Sequence, residues 1–156
     1  MIKIVSGGQT GVDRGALDAA LDVGAPCGGW CPPGRKAEDG RIPLHYPLHE
    51  MPTGSYRHRT RRNVEHSDAT LILHFGELEG GTLETENFCR QQAKPHLVVD
   101  VGTMDVDSAV REIIGFITDV QVETLNVAGP RASKQPQAAE LTRQIIRAVL
   151  QKFHDL

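Results

Sequence analysis

A chain of 156 residues with 39% hydrophobic and 24% charged residues has the composition of one soluble domain, which we place at residues 1–156. Its net charge of −3 gives no overall attraction for a polyanion, and no apolar stretch reaches the roughly 20 residues that span a membrane. The three cysteines lack the spacing of a disulfide framework, so we expect a reducing, cytoplasmic environment.

Strand and helix patterns alternate along the chain. A strand at about residues 2–6, a helix at 12–23 and a short strand near 27–31 come first. Residues 32–55 hold too many prolines and glycines for a helix or a central strand, which predicts a long irregular loop with a binding role. The remaining predicted elements are a helix at 56–66, a strand at 69–75, a helix at 82–92, a strand at 95–101, a helix at 107–120, a strand at 122–128 and a helix at 135–153.

This alternation predicts an α/β protein with a three-layer, doubly wound Rossmann-like fold and a parallel five-stranded sheet. Right-handed crossovers leave few strand orders, and we favour 2-1-3-4-5 in the numbering of the predicted strands. In that order the first and third strands are neighbours at the topological switch point, where open α/β sheets bind ligands.

Glycine-rich loops follow the first and third predicted strands. Glycine lets backbone N–H groups approach a ligand closely, and the start of the following helix attracts an anion. Neither loop has the spacing of a Walker A motif or a dinucleotide fingerprint, so each is either a tight structural turn or part of a ligand site. Together they predict a cradle for a phosphorylated ligand, formed by Gly7, Gly8, Gln9, Thr10, Gly11 and Asp13 in one loop and by Gly80, Gly81, Thr82 and Thr85 in the other.

Three further segments carry candidate binding residues. The basic helix at 56–66 presents Arg59, Arg62 and Asn63, and the turn after the last strand presents Arg131 and Ser133. Arginines in such places are either ligand contacts or solvated charges, and we expect at least one to offset a phosphate charge.

The segment that leads from the short strand into the long loop adds Trp30, Cys31 and Arg35 close to the predicted cleft. Trp30 either stacks on a heterocycle or packs against the core, and packing is the commoner role. Cys31 either ligates a soft metal as a thiolate or is a buried thiol. We expect the segment from Trp30 to Gly40 to cover the ligand.

The histidines are scattered, and no zinc or facial-triad spacing is present. No Ser-His-Asp arrangement or nucleophile elbow is visible either. The sequence therefore predicts neither a metal site nor catalytic residues.

Several motifs resemble those of the molybdenum cofactor carrier family. These motifs are Ser6-Gly7-Gly8-Gln9-Thr10-Gly11-Val12-Asp13-Arg14-Gly15, Gly28-Gly29-Trp30-Cys31-Pro32, Ala37-Glu38-Asp39-Gly40, Arg62-Asn63-Val64 and Gly80-Gly81-Thr82. The resemblance implies a Rossmann-like protein that binds the molybdenum cofactor (molybdopterin) or a related phosphorylated pterin for storage or transfer, without catalysis. It also implies a homo-oligomer, with molybdoenzymes or cofactor-biosynthesis proteins as partners.

Two wider resemblances supply alternatives. Gly80-Gly81-Thr82 is similar to a shortened motif of the nucleoside-monophosphate phosphoribohydrolases, whose catalytic glutamate would fall on Thr85 and whose arginine would fall near Arg59. A hydroxyl at that position argues against hydrolysis. The start of the chain also resembles DNA-processing proteins, which bind single-stranded DNA, but net acidity and 4% aromatic residues make nucleic acid a poor candidate.

Overall fold

The computed structural model describes residues 1–154, so the last two residues of the predicted domain lie outside the described part. Its strands are β1 (Lys3–Val5), β2 (Cys27–Gly28), β3 (Trp30–Cys31), β4 (Lys36–Ala37), β5 (Gly40–Arg41), β6 (His49–Glu50), β7 (Ala69–His74), β8 (His96–Asp100) and β9 (Thr124–Ala128). Its helices are α1 (Val12–Val23), α2 (Tyr56–Glu65), α3 (Gly80–Gln91), α4 (Val106–Val120) and α5 (Ala138–His154), with a 3-10 turn at Pro33–Arg35.

The main sheet is parallel and has five strands in the order β2-β1-β9-β7-β8. The predicted Rossmann-like α/β fold is therefore confirmed, but the favoured order 2-1-3-4-5 is wrong. The last strand, β9, enters the centre of the sheet, with Leu125 opposite Ile4 on one side and Val127 opposite Leu71 on the other. Because crossovers of the same hand can build both orders, the order of elements along the chain did not separate them.

The two faces of the sheet differ in chemistry. Leu71, Leu125 and Val127 belong to the main core, which they form with side chains of α1, α4 and α5. The opposite face, under α2 and α3, carries the buried polar side chains of Thr70 and Asn126, and Nδ2 of Asn126 donates to Oγ1 of Thr70 at 3.2 Å. Successive side chains of a strand point to opposite faces of the sheet, so Thr70 and Asn126, which are adjacent in sequence to the core residues, lie on this polar face.

Helices α2 and α3 both begin at the edge of the sheet where the parallel strands end, but their first turns differ. At the start of α2, Ser55 and His58 form a capping box, in which the peptide N–H of Ser55 donates to Nδ1 of His58 at 3.1 Å. No side chain caps the start of α3 after Glu79. The first N–H groups of α3 therefore have no partner within their helix.

The predicted loop at 32–55 contains local structure of its own. It holds the antiparallel pair β4–β5, and β6 pairs with β3. A second, smaller core beneath it contains Leu17, Cys31, Ala37, Ile42, Tyr46 and Leu48. None of the helices in residues 1–154 combines the length and the apolar character that a membrane crossing needs.

Candidate functional site

A cleft of about 340 Å³ opens at the edge of the sheet where the strands end. It lies on the polar face, and its floor includes Asn126 and Ala128 of β9 and His74 of β7. The first turns of α2 and α3 line it as well. This volume is at the lower end of the range for small-molecule sites.

The wall nearest β1 is built on a buried ion pair. Nη1 of Arg59 lies 3.1 Å from Oδ2 of Asp13, and the two side chains are 11% and 7% exposed. Gly7 makes room for the guanidinium, because a Cβ at this position would lie 1.6 Å from Nη1. This glycine is required for the close approach of Arg59 to the β1–α1 loop.

Burial is the dominant influence on Asp13, and it raises the pKa of the carboxyl above the ordinary value of 3.8. The charge of Arg59 and the N–H groups of Gln9 and Gly7 act in the opposite direction. Arg59 is thus partly neutralised by Asp13, while its Nε is buried without a hydrogen-bond partner. One donor of this guanidinium remains unused in the wall of the cleft.

The wall nearest β7 is the uncapped start of α3. A Cβ on Gly80 or Gly81 would meet no atom within 4 Å, so open space lies in front of both backbones. Gly80 has a φ of 54°, a conformation that favours glycine. Lys134 and Arg131 also line the cleft, and Nζ of Lys134 lies 3.4 Å from Oε1 of Glu79. An anion placed here would meet the N–H groups at the start of α3 and two half-exposed cations.

The position of β9 separates the two glycine loops. Since β9 lies between β1 and β7, the ends of these strands are separated by at least two strand spacings, roughly 10 Å. A single phosphate group cannot contact both loops over that distance. The predicted joint cradle is therefore replaced by two ends of one cleft.

Protein atoms fill most of the space around the first glycine loop. A Cβ on Gly8 would lie 2.5 Å from Cδ1 of Leu48, and a Cβ on Gly11 would lie 2.3 Å from the carbonyl oxygen of Pro130. The start of α1 is also closed, because the N–H of Val12 donates to that same carbonyl. These glycines permit close packing of one segment against another, and neither lines the cleft.

Glu38 accepts the hydrogen bonds of Thr10 and Ser133, two residues that we predicted to bind the ligand. Its carboxylate accepts hydrogen bonds from Oγ1 of Thr10, from the N–H of Ser133 at 3.1 Å and from Oγ of Ser133 at 2.6 Å. Nε of Arg131 lies 3.6 Å from it. The hydrogen bonds from Ser133 and Thr10 hold the pKa of Glu38 below its ordinary value.

The segment from Trp30 to Gly40 does not cover the cleft, since none of its residues is among those that line it. Arg14 holds part of it against the β1–α1 loop, through two hydrogen bonds of 2.5 and 2.8 Å to the carboxylate of Asp39. This segment thus stabilises the β1–α1 loop from the side that faces away from the cleft.

Trp30 and Arg62 form a separate surface cluster. The guanidinium carbon of Arg62 lies 4.7 Å from the centre of the Trp30 ring, and Nε1 of Trp30 donates to Nδ1 of His66 at 3.4 Å. Asn63 fixes the Trp30 backbone, accepting its N–H at 2.8 Å and donating to its carbonyl at 3.0 Å. Asn63 still borders the cleft, whereas Trp30 and Arg62 do not.

Arg35 and Cys31 lie inside the second core. The Arg35 guanidinium is buried and donates to the carbonyl groups of residues 42, 43, 46 and 48, which fixes the loop around it. Cys31 is fully buried, and burial raises the pKa of its thiol. Neither residue lines the cleft. Within residues 1–154, no group of three or more His, Cys, Asp or Glu side chains is placed to hold a metal ion.

The position of the hydrolase glutamate carries Thr85, whose hydroxyl donates to the carbonyl of Gly81 at 2.9 Å. The neighbouring Glu84 lines the cleft. Oε1 of Glu84 lies 2.8 Å from Nε of Arg57, so this carboxylate is held by an ion pair at the rim.

The predicted site residues thus fall into two groups. Those that line the cleft are Gly7, Gln9, Asp13, Arg59, Asn63, Gly80, Gly81, Thr82, Thr85 and Arg131. Those that lie elsewhere are Gly8, Thr10, Gly11, Trp30, Cys31, Arg35, Arg62 and Ser133.

The cleft residues that sequence reasoning missed include Tyr56, His74 and Asn126. Asn126 offered a signal, because it is a polar residue between Leu125 and Val127 in an otherwise apolar strand. Tyr56 and His74 offered none, since single aromatic residues at the ends of elements are common on surfaces.

Comparisons with known proteins place the chain in a family. The model of the circularly permutated YpsA SLOG family matches residues 4–150. A solved structure, the "Putative molybdenum carrier protein" of Syntrophus aciditrophicus SB, is 45% identical, with a TM-score of 0.93 over 96% of this chain and 95% of that one. Among curated proteins no match is found. The family resemblance read from the motifs is confirmed, and the chain belongs to the circularly permutated YpsA SLOG family.

Proposed function

We propose that the protein binds and carries the molybdenum cofactor or a related phosphorylated pterin without changing it chemically. The observation that carries this proposal is the uncapped start of α3, which faces open space in a cleft of about 340 Å³. A binding or carrier role in general agrees with the family and with the name of the 45% identical neighbour.

The phosphate of the ligand would lie at the start of α3. The N–H groups of Gly80 and Gly81 would donate to its oxygens, and the hydroxyl of Thr82 lines the same end of the cleft. Lys134 is half-exposed and only loosely paired with Glu79, so it can turn toward an arriving anion. Hydrogen bonds to an ionised phosphate are stronger than those between neutral groups.

The cleft fits a molecule with two chemically different ends. The phosphate end near β7 and the Arg59–Asp13 wall near β1 are separated by at least two strand spacings, roughly 10 Å, across the sheet. A phosphorylated pterin has an anionic group at one end and a planar ring at the other. This match supports a pterin rather than a small inorganic anion.

The hydrolase alternative is not favoured. The position of its catalytic glutamate is held by Thr85, whose hydroxyl is bonded to the backbone of its own helix. Glu84 is engaged with Arg57 at the rim. A carrier requires only binding, and this set of groups supplies binding.

A charge placed at Gly81 tests the proposal directly. An aspartate at the second position of a helix suits the helix dipole, so Gly81→Asp should fold normally while repelling a phosphate. We expect titration with the molybdenum cofactor under anaerobic conditions to show micromolar or tighter binding to the unmodified protein and at least about thirtyfold weaker binding to Gly81→Asp.

Two control variants separate charge from shape and from position. Gly81→Asn has almost the same shape without the charge, and Gly115→Asp adds the same charge on α4, at a site with nothing within 4 Å and away from the cleft. Both should keep most of the affinity. No binding of the cofactor to the unmodified protein, or equal loss in Gly115→Asp, would overturn the proposal.

As parts of the same proposal, the protein acts in the cytoplasm as a homo-oligomer and delivers its ligand to molybdoenzymes or to cofactor-biosynthesis proteins. The composition and the family resemblance support these statements. Native mass spectrometry of protein isolated from cells that make the cofactor tests the oligomer and its cargo together. A ligand-free monomer would contradict both.

A further inference from the structure

Unused polar groups line the cleft away from the start of α3. Nε of Arg59 and Nδ1 of His74 are buried and have no hydrogen-bond partner. Asn126 is 3% exposed, and among its described contacts the amide makes one side-chain hydrogen bond, from Nδ2 to Thr70. Buried polar groups are usually satisfied, so the two unpartnered groups of Arg59 and His74 in the lining of one cavity indicate a polar partner.

Asn126 lines the cleft on β9, beside Val5, the last residue of β1. It lies opposite Thr70 in the register of β7 and β9, whereas His74 is the last residue of β7. Four residues along a strand correspond to roughly 13 Å, so Asn126 lies about that far along the sheet from His74, on the side of β1. The amide carbonyl of Asn126 is an acceptor group at this end of the cleft, and Nε–H of Arg59 is a donor in the wall nearest β1.

Tyr56 supplies an aromatic surface on the same side. It is the first residue of α2 and lines the cleft. It is 38% exposed, so it is not buried in the core. The guanidinium carbon of Arg59 lies over this ring, 5.7 Å from its centre. A planar ligand on the exposed part of Tyr56 would therefore lie beside the Arg59 guanidinium.

We propose that Tyr56, Arg59 and Asn126 form a ring-binding end of the cleft that selects a planar oxo- and amino-substituted nitrogen heterocycle. The ring stacks on Tyr56, its carbonyl accepts from Nε of Arg59, and its amino or ring N–H group donates to the carbonyl of Asn126. Pterins and guanine share this chemistry. The assignment rests on the proposed function for the position of the phosphate, at the start of α3.

Three phosphorylated probes test the ring-binding end by titration calorimetry: neopterin monophosphate, guanosine monophosphate and ribose 5-phosphate. The third has the phosphate but no heterocycle. We expect at least one ring-bearing probe to bind about tenfold or more tightly than ribose 5-phosphate, because stacking and edge hydrogen bonds add to the phosphate contacts. Equal affinities of all three probes would overturn the ring-binding end.

Variants at Tyr56 and Asn126 identify the residues responsible. Tyr56→Ala and Asn126→Leu should each weaken the ring-bearing probe about tenfold and leave ribose 5-phosphate unchanged, while Tyr56→Phe should keep the affinity. Leu83→Ala is the matched control, since Leu83 is 42% exposed on α3 and does not line the cleft. If Asn126→Leu does not fold, the partly exposed Tyr56 position decides the result alone.

The outcomes separate this inference from the proposed function. Neopterin monophosphate binding that Gly81→Asp abolishes and Tyr56→Ala does not affect would overturn the ring-binding end and leave the carrier proposal intact. Guanosine monophosphate binding that depends on Tyr56, with no binding of neopterin monophosphate or of the molybdenum cofactor, would support the ring-binding end and overturn the carrier proposal.

Discussion

Replacing Arg59 by methionine is expected to destabilise the protein by about 3–5 kcal/mol at neutral pH, because the variant leaves the Asp13 carboxylate buried without its partner. The two side chains are only 11% and 7% exposed, so water cannot take the place of the guanidinium. Methionine keeps part of the packing of the Arg59 stem. For a chain of this size the melting temperature should fall by roughly 6–20 °C.

The loss should depend on pH in a defined direction. Burial raises the pKa of Asp13 above 3.8, and Arg59 is the largest influence that opposes the rise. Without Arg59 the pKa of Asp13 rises further, so in the acidic range the folded state binds more protons than the unfolded state. Stability of the variant relative to the unmodified protein should therefore recover as the pH falls from neutral toward the ordinary aspartate value.

Urea unfolding at several pH values measures this difference. The double variant Asp13→Asn with Arg59→Met is the control, because it has no carboxylate to leave unpaired. It should be more stable at neutral pH than Arg59→Met alone, and its difference from the unmodified protein should vary less with pH. A loss below about 1 kcal/mol in Arg59→Met, or no benefit from the second substitution, would refute the reasoning.

Three further predictions concern residues outside the cleft. Gly11→Ala should cost about 2 kcal/mol or more in thermal unfolding, because φ is 83° and the new Cβ would lie 2.3 Å from a carbonyl oxygen, while Gly115→Ala should be neutral or slightly stabilising. Arg35→Met should cost about 3 kcal/mol, since four carbonyl groups lose a charged donor, yet the folded fraction should keep its ligand affinity; an affinity loss in calorimetry would contradict this. Glu38→Gln should cost about 1 kcal/mol at neutral pH. Because the pKa of Glu38 is lowered from 4.5, the folded state holds the ionised form, so the difference should vanish in unfolding experiments as the pH falls through the lowered pKa, the opposite direction to Asp13.

Hydrophobic periodicity was sufficient for the fold class and for most of the helices. The predicted helix at 107–120 and the observed α4 at Val106–Val120 differ by one residue at the start. The strand order was different, because the crossover after β8 can return the chain to the centre of the sheet or continue outward with the same hand. The two strand orders are distinguished only by the pairing of β9, in which Leu125 lies opposite Ile4 of β1 and Val127 lies opposite Leu71 of β7.

Only part of the candidate site was predicted, because local sequence does not show which distant segments come together. A glycine in a strand–helix turn indicates a close approach, but it does not say whether the approaching atom belongs to a ligand or to the protein. At Gly81 the space is open, whereas at Gly11 it is filled by Pro130. Glu38 accepts a hydrogen bond from Thr10, which is 28 positions away in the sequence, and no local sequence pattern predicts such a contact.

The location of a bound ligand tests the central claim most directly. A crystal structure of the complex with a phosphorylated pterin should show the phosphate within hydrogen-bond distance of the N–H groups of Gly80 and Gly81, with the ring on the side of Tyr56 and Asn126. A phosphate found instead among Thr10, Ser133 and Arg131, with Glu38 displaced, would contradict the two-ended cleft.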